Sequence, residues 1–506
     1  MDVCDITGSW GPWQRNIFLF LLFGGIFSAF HGLSLTFYAP EVDYRCADDT
    51  EYVDLEESFN NTDQCNLFIN GTTVECKSWS YDTSFYETSI ISEWDLVCDK
   101  SWLASFSQSS YMIGMMVSTI LFGYLSDKYG RRPIILLGIV IEILAGFSSA
   151  FSYSWIQFLI SRFFLSLGQT GRWSTGFVII LETCGIKYRS DMGTSLQFGW
   201  AFGAVLLPGV AYLTRNFRYL QLTATVPELV FLTGFFFLPE SPRWLLTHGK
   251  VQEAEKVIRN GANKNGHDTS DINSKLKHLT KKYTDELQKQ TRNKPPAVSL
   301  IGLWKTPNMR KATIVLYFTW FVCTFAYYGF SLNTNNLGGD PFINFLISSA
   351  VEFPAYAASM LFIKRFGRRK PLILLLIIGG IASLSTSGFL GDDSFNYSFR
   401  VTLAMIGKFC VTSAVGINYV YSAEVFPTVL RNIGVGSCSM IGRVGSTLSP
   451  FVKELGQISS PVVPHILYGV FFLVDAIAIF FILPETSTQD MPDTIQEAEN
   501  RAVRQS

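Results

Sequence analysis

Arg443 stands midway along a helix-length run of small and apolar residues, Gly434 to Phe451, which reads GVGSCSMIGRVGSTLSPF. A guanidinium at the centre of a membrane span costs about 2.5–3.5 kcal/mol on insertion scales, so such a group faces a bundle interior or a wet cavity and marks a substrate or ion path. Two chemistries fit it. One is a pair with an acid on a neighbouring helix, since the Gly and Ser residues around Arg443 also suit close helix packing. The other is an anion-seeking group in a central pocket. Further charges stand inside apolar runs at Glu142, Arg162, Glu228, Glu352, Lys408 and Asp475. Most of these read as structural pairs, while Glu352 either adds a negative charge to the pocket or pairs with Arg443.

The elements that must hold these charges are membrane spans. The chain has 506 residues, of which 48% are hydrophobic and only 16% charged, against roughly 25% charged in a typical soluble domain. Runs long enough to span a bilayer occur twelve times, near 16–38, 102–125, 134–152, 155–181, 191–212, 218–238, 311–332, 341–363, 372–390, 400–421, 432–453 and 464–483. The expected fold class is an all-α membrane protein with twelve transmembrane helices. A formal net charge of −1 gives no basic excess for nucleic acid. Membrane lipid is the expected surrounding, and the chain is read as a monomer.

Two long polar segments interrupt the spans and fix the expected orientation. The segment 39–101 is rich in acids, holds Cys46, Cys65, Cys76 and Cys98, and carries sequons at Asn60 and Asn70. The segment 239–310 is rich in Lys and Arg, among them Lys275, Lys281, Lys289 and Arg292. Sequons and an even set of cysteines belong in an oxidising space, and basic loops belong in the cytosol. Two disulfides are expected, with their pairing open. Counting spans from a cytosolic start also places the sequon at Asn396 outside. The apolar run Ile17 to Tyr38 is too long for a signal-peptide core, so both termini are expected in the cytosol of a plasma-membrane protein. The expected division is a tail 1–15, a first helix 16–38, the outer loop 39–101, the rest of the first six-helix half 102–238, the basic loop 239–310, the second half 311–483 and a tail 484–506. Val251 to Ile258 and Ile272 to Leu287 have the pattern of amphipathic surface helices.

An internal repeat divides the chain in two. Asp127 to Pro133, DKYGRRP, recurs as Lys364 to Pro371, KRFGRRKP. Glu182 with Arg189 recurs as Glu424 with Arg431, and Pro239-Glu240-Ser241 recurs as Pro484-Glu485-Thr486. Two pseudo-symmetric six-helix halves are therefore expected, with a site between them near the midplane. Asp127, Arg131, Glu182 and Arg189, with Arg368, Glu424 and Arg431 in the second half, have the charges to form gating pairs on the cytosolic side.

The segment Gly123 to Arg132, GYLSDKYGRR, resembles the signature loop of the major facilitator superfamily. PESPRWL from Pro239 to Leu245 and SAEVFPTVLRN from Ser422 to Asn432, with the cysteine-bearing outer loop, are similar to the organic cation, organic anion and carnitine transporter family over nearly the whole chain. YGFSLNT from Tyr328, VEFPAY from Val351 and IGRVGSTLSP from Ile441 look most like its carnitine and zwitterion branch.

That resemblance implies the major facilitator fold and alternating-access transport of small organic zwitterions or cations, carnitine and related betaines first among them. Cation-selective members carry an aspartate where this chain has Arg443. Anion-selective members share the arginine and add a lysine where this chain has Tyr356. The resemblance also implies substrate contacts at Trp173, Tyr327, Tyr328 and Tyr419, whose ring faces suit a quaternary ammonium, and at Gln169. Sodium-coupled carnitine carriers have asparagine at the positions of Arg172 and His31, which puts sodium coupling in doubt and makes Arg172 a candidate second anion contact. The alternatives are an organic-anion carrier and a substrate sensor with little transport. No zinc, phosphate-loop or nucleophile motif supports an enzyme, and no cofactor or metal is expected.

Overall fold

A computed structural model of the chain describes residues 3–47, 65–69, 72–267, 300–334, 339–389, 394–427, 429–460 and 462–487, with shorter stretches between 272 and 281 and between 492 and 499. Each of the twelve expected runs is helical. The helices are α1 (Pro12–Leu33), α2 (Trp102–Tyr129), α3 (Arg131–Ala150), α4 (Trp155–Thr183), α5 (Ile186–Thr214), α6 (Phe217–Thr225 and onward to Phe237), α7 (Pro307–Leu332), α8 (Pro341–Ala350 and Glu352–Phe366), α9 (Arg369–Thr386), α10 (Ser394–Val425), α11 (Arg431–Leu448) and α12 (Val462–Ile482). Ten of these regions are long and apolar enough to cross a membrane; α4 and α11 are not among them. The reason is compositional: α4 carries Arg162, Gln169 and Arg172, and α11 carries Arg443 among Gly and Ser. Both helices carry candidate site residues, Gln169, Arg172 and Trp173 on α4 and Arg443 on α11.

α6 and α8 are broken near their middles. In α6, Pro227 lacks the amide that would continue the ladder, and Val226–Thr233 winds as a 3-10 segment. In α8 the helix pauses at Val351 ahead of Pro354. Glu228 and Glu352 lie at these breaks.

The two halves meet where α2 packs on α11 and α5 on α8. Contacts between them continue toward the end that carries the disulfide loop. Ser109 donates to the Thr447 carbonyl at 2.7 Å, Ser105 donates to Glu454 at 2.8 Å, and Phe37 stacks on Phe342 with ring centroids 5.5 Å apart. That end is shut. The loop itself folds on two hairpin-like pairs, β1 (Tyr44–Cys46) with β4 (Trp79–Tyr81) and β2 (Asn66–Ile69) with β3 (Thr72–Glu75), and its disulfides join Cys46 to Cys76 and Cys65 to Cys98. A cleft of 520 Å³ lies beneath it, lined by Glu41, Asp43, Lys453 and Glu454 among others, away from Arg443.

At the opposite end the N-terminal segment docks on the helix Val251–Lys264. Asn265 donates to the Thr7 carbonyl at 2.6 Å and accepts from the Trp13 amide at 2.9 Å. Glu499 of the C-terminal tail accepts from the first amides of α7, at Asn308 and Met309. Both terminal segments and the segment after α6 therefore share one end. The described part of the second expected surface helix is helical, with Ile272 and Leu279 packed into an apolar cluster with Val3, Ile6, Trp244 and Ile258; its remainder lies outside the described residues, as do Asn60 and Asn70. Asn396 sits in the first turn of α10.

Candidate functional site

α11 carries Arg443 to the surface where the halves face each other. It is half-buried, its NH1 lies 3.9 Å from the sulfur of Met115 on α2, and the Tyr328 hydroxyl of α7 faces its guanidinium. Among the described residues no carboxylate pairs with it. Tyr419 is 46% exposed and meets Trp320 edge-on at 4.5 Å. It neighbours Tyr328 and Tyr356. Arg443, Tyr328, Tyr356 and Tyr419 thus converge from α11, α7, α8 and α10.

Glu352 does not pair with Arg443. Its Oε1 accepts from Lys408 on α10 at 2.8 Å and from the Tyr327 hydroxyl at 2.7 Å, and Trp200 on α5 of the other half donates to that hydroxyl at 3.1 Å. The Lys408 ammonium also lies 3.7 Å from the Tyr327 ring centroid. An ammonium held over a ring and against a carboxylate is the arrangement expected for a cationic substrate, and here the protein's own lysine occupies it. Lys408 is the residue that sequence reasoning missed as part of this group.

Gln169 and Arg172 sit deeper in the first half. Gln169 accepts from the Tyr111 hydroxyl and donates to the Ser28 carbonyl at 3.0 Å. Arg172 is bidentate to Glu142 of α3, at 2.6 and 2.9 Å, and lies against Gly24, where any side chain would collide with its guanidinium. The expectation that Arg172 serves as a second anion contact is not what this geometry provides, because its charge and donors are spent on a carboxylate. Trp173 packs its ring against Gly25 of α1, where α1 and α5 also approach closely at Gly199. Near Arg172, His31 of α1 and Glu228 of α6 complete a buried ionisable group with Glu142. Its signal in the sequence was present as isolated intramembrane charges, but their assembly depends on helix rotations that spacing does not give.

The repeated charges take the same form in each half. Arg131 binds Asp127 at 2.8 Å and Glu182 at 3.0 Å, and Arg368 binds Glu424 at 2.8 Å. Each of these pairs joins helices of one half. Arg431 opens α11, and the side chain of Arg189 lies outside the described residues. Gly130 and Gly367 turn between helices at φ of +110° and +84°. A side chain there would meet the carboxylates of Glu240 and Glu485, so glycine serves both the backbone angle and the approach of the acid.

Comparison with known proteins extends this picture. A family model described as sugar (and other) transporter matches residues 57–496. The organic cation transporter protein of Drosophila melanogaster is 36% identical over 99% of this chain and 94% of its own length. Organic cation/carnitine transporter 2 of Homo sapiens is 31% identical over 98% and 93%. The inward open xylose transporter XylE of E. coli superposes with a TM-score of 0.66 at 17% identity, over 96% of this chain and 99% of that one, a likeness of fold.

Proposed function

The chain belongs to the sugar (and other) transporter family, and within it to the organic cation and carnitine transporters; from that premise we propose that it carries small zwitterions with one carboxylate and one cationic end, of the carnitine and betaine type. It is a multi-pass membrane transporter of the major facilitator fold, not an enzyme. The observation that supports the finer reading is Arg443, a guanidinium near the middle of α11 without an acid partner among the described residues, facing Tyr328 with Tyr356 and Tyr419 beside it where the halves meet. The carboxylate goes to Arg443 and the cationic end to the rings of Tyr328, Tyr356 and Tyr419, with Trp173, Gln169 and Tyr327 behind them.

The protein works at the plasma membrane, with the disulfide loop outside and both termini inside. The six-helix halves 16–238, interrupted by the loop 39–101, and 311–483 rock about this site. The pairs of Arg131 with Asp127 and Glu182, and of Arg368 with Glu424, hold each half together as a rocking body; Arg189 and Arg431 belong to the same charged end. A second reading, carriage of organic anions, is favoured by one feature. With Glu352 matched by Lys408, Arg443 is the charge left over.

Arg443→Gln leaves a bound carboxylate desolvated and unpaired, a loss of roughly 2–5 kcal/mol for a buried charged partner, or about 30-fold or more in affinity. Arg443→Asp shifts preference toward plain cations by adding repulsion against carboxylates. Uptake of carnitine, para-aminohippurate and tetraethylammonium by both variants, corrected for surface expression, tests the assignment. Wild-type affinity of Arg443→Gln for every carboxylate would sink it. Preference of the wild type for para-aminohippurate over carnitine decides for the anion reading.

A further inference from the structure

The group formed by His31, Glu142, Arg172 and Glu228 has no part in the substrate site just described, yet it draws four ionisable side chains from four helices into the interior of one half. All are at most 1% exposed. One ligand atom from each of His31, Glu142 and Glu228 lies within 4.8 Å of the others. Arg172 takes both oxygens of Glu142. Glu228 has no arginine of its own: its Oε2 lies 3.3 Å from His31 Nε2, and neither of its oxygens, nor that nitrogen, has an aligned hydrogen-bond partner. Three buried polar atoms thus point into one small space, where leaving them unmatched is costly.

The remaining neighbours decide what fills that space. Tyr38 donates to Gln221 Oε1 at 2.8 Å, and the Gln221 amide nitrogen donates to Thr225 at 3.0 Å and faces His31 Nδ1 at 3.4 Å. Gln221 therefore presents donors to Nδ1, which must accept; the histidine hydrogen sits on Nε2 and the ring is neutral. A doubly protonated ring would set N–H against N–H. Arg162 is matched by the His31 carbonyl at 2.9 Å, by Gln108 at 2.8 Å and by the Tyr111 ring at 4.4 Å, and it touches neither acid. The charged and titratable groups around the pair are thus Arg172 and Arg162 from α4, Tyr111 from α2 and Tyr38 following α1. With His31 neutral and Arg172 committed to Glu142, two facing carboxylates in a dry site cannot both carry charge.

We propose that His31, Glu142 and Glu228 form a proton-binding site, with the proton carried by Glu228 in this conformation, and that its exchange couples transport to a proton gradient. The coupling rests on the transporter reading above; the proton site does not. On release the O–H bond of Glu228 breaks, its electron pair stays on the carboxylate, and the proton passes to water admitted as the halves rock. Coupling ions in such folds bind near the midplane, and Glu228 stands near the middle of α6, at the Pro227 break.

The first arm of the test needs no substrate. The melting temperature of the purified full chain is followed from about pH 6 to 9 for wild type, Glu228→Gln and the exposed control Glu93→Gln. A group that holds its proton only when folded stabilises at low pH and loses that stabilisation as pH rises. Wild type and Glu93→Gln should therefore melt several degrees lower at the alkaline end, and Glu228→Gln should lose most of that slope. The amide is a near isostere of the neutral acid, so Glu228→Gln should be at least as stable as wild type near pH 7. Failure of that variant to fold, an unchanged slope, or a wild-type slope that sodium chloride but not choline chloride abolishes, each overturns the proposal. In proteoliposomes loaded with carnitine or tetraethylammonium, a pH gradient should change wild-type uptake severalfold and leave Glu228→Gln unmoved. If wild type carries neither compound, the transport reading falls while the melting curves still judge the proton site.

Discussion

Lys408 shows how much a single buried charge depends on its partner. Its ammonium is held by Glu352 at 2.8 Å and by the Tyr327 ring, with both ends of the pair nearly without exposure. Removing one member of a buried pair leaves the other uncompensated, at a cost of about 3–5 kcal/mol, whereas replacing both by packed neutral groups is often close to neutral. Lys408→Ala should lower the melting temperature markedly. Lys408→Met combined with Glu352→Gln should recover most of the loss, and saturating tetraethylammonium should partly rescue Lys408→Ala by supplying a cation to Glu352. Equal damage in the single and double variants would show that packing, not charge, is at stake. Arg443 was legible in the sequence because one charge interrupts a small-residue run. The Glu352–Lys408 and Arg172–Glu142 pairings were not, since a side chain's partner across a bundle depends on helix rotation and depth.

Glu240 and Glu485 act on whole helices. Each follows the last helix of its half and reaches back to the start of a third helix. Glu240 accepts from the Arg131 and Arg132 amides, at 2.8 and 3.2 Å; Glu485 accepts from those of Arg368 and Arg369, at 3.0 and 3.1 Å. Free amides at a helix start favour a negative acceptor, so the repeated Pro-Glu pairs, visible in the sequence as a repeat, work as caps supplied from a distance. The two differ in their surroundings. Burial pushes the Glu240 carboxyl up against the pull of its amide donors. At Glu485 burial also opposes charge, but the backbone donors at Arg368, Ser487 and Arg369 prevail and hold it below the usual carboxylate value. Stability from Glu485 is therefore present above the usual carboxylate value and lost as pH falls through its lowered one. Glu240 has the opposite sign, and its contribution declines as pH rises through its raised value. Glu485→Gln should cost about 1 kcal/mol near pH 7, the usual worth of a cap, with the cost vanishing in acid. Glu240→Gln should cost less at pH 7. Melting curves against pH for both variants check this, and matching acid profiles would refute the assigned difference. The proline breaks beside Glu228 and Glu352 were equally open to inspection in the sequence, but a proline in a span signals a break without saying which neighbour the break will aim inward.

At the scale of the whole molecule, the twelve apolar runs and the half-chain repeat were readable because bilayer thickness and hydrophobic burial fix helix length whatever the detail. The disulfide pairing and the conformation were not. Four cysteines in one loop leave their pairing undetermined, and which end of the bundle is shut depends on small contacts between rigid halves. In this conformation contacts between the halves include, at the disulfide-loop end, Ser109 of α2 with the Thr447 carbonyl of α11 and Ser105 of α2 with Glu454 of the helix Phe451–Ile458 that follows α11. The repeated ion pairs at the other end lie within each half, so they stiffen the moving bodies and do not latch them together. If transport alternates between two arrangements of these halves, the α2–α11 contact must part once in every cycle. Cysteines placed at Ser109 and Thr447 and joined by a short cross-linker should then stop carnitine or tetraethylammonium uptake, while each single variant treated with the same reagent keeps it. Binding measured by a rise in melting temperature should survive the cross-link if the halves can still part at the far end, since the cross-link fixes only the α2–α11 contact. Transport at the wild-type rate by fully cross-linked protein would mean that this end never opens, and rocking of the two halves would be the wrong description of the cycle.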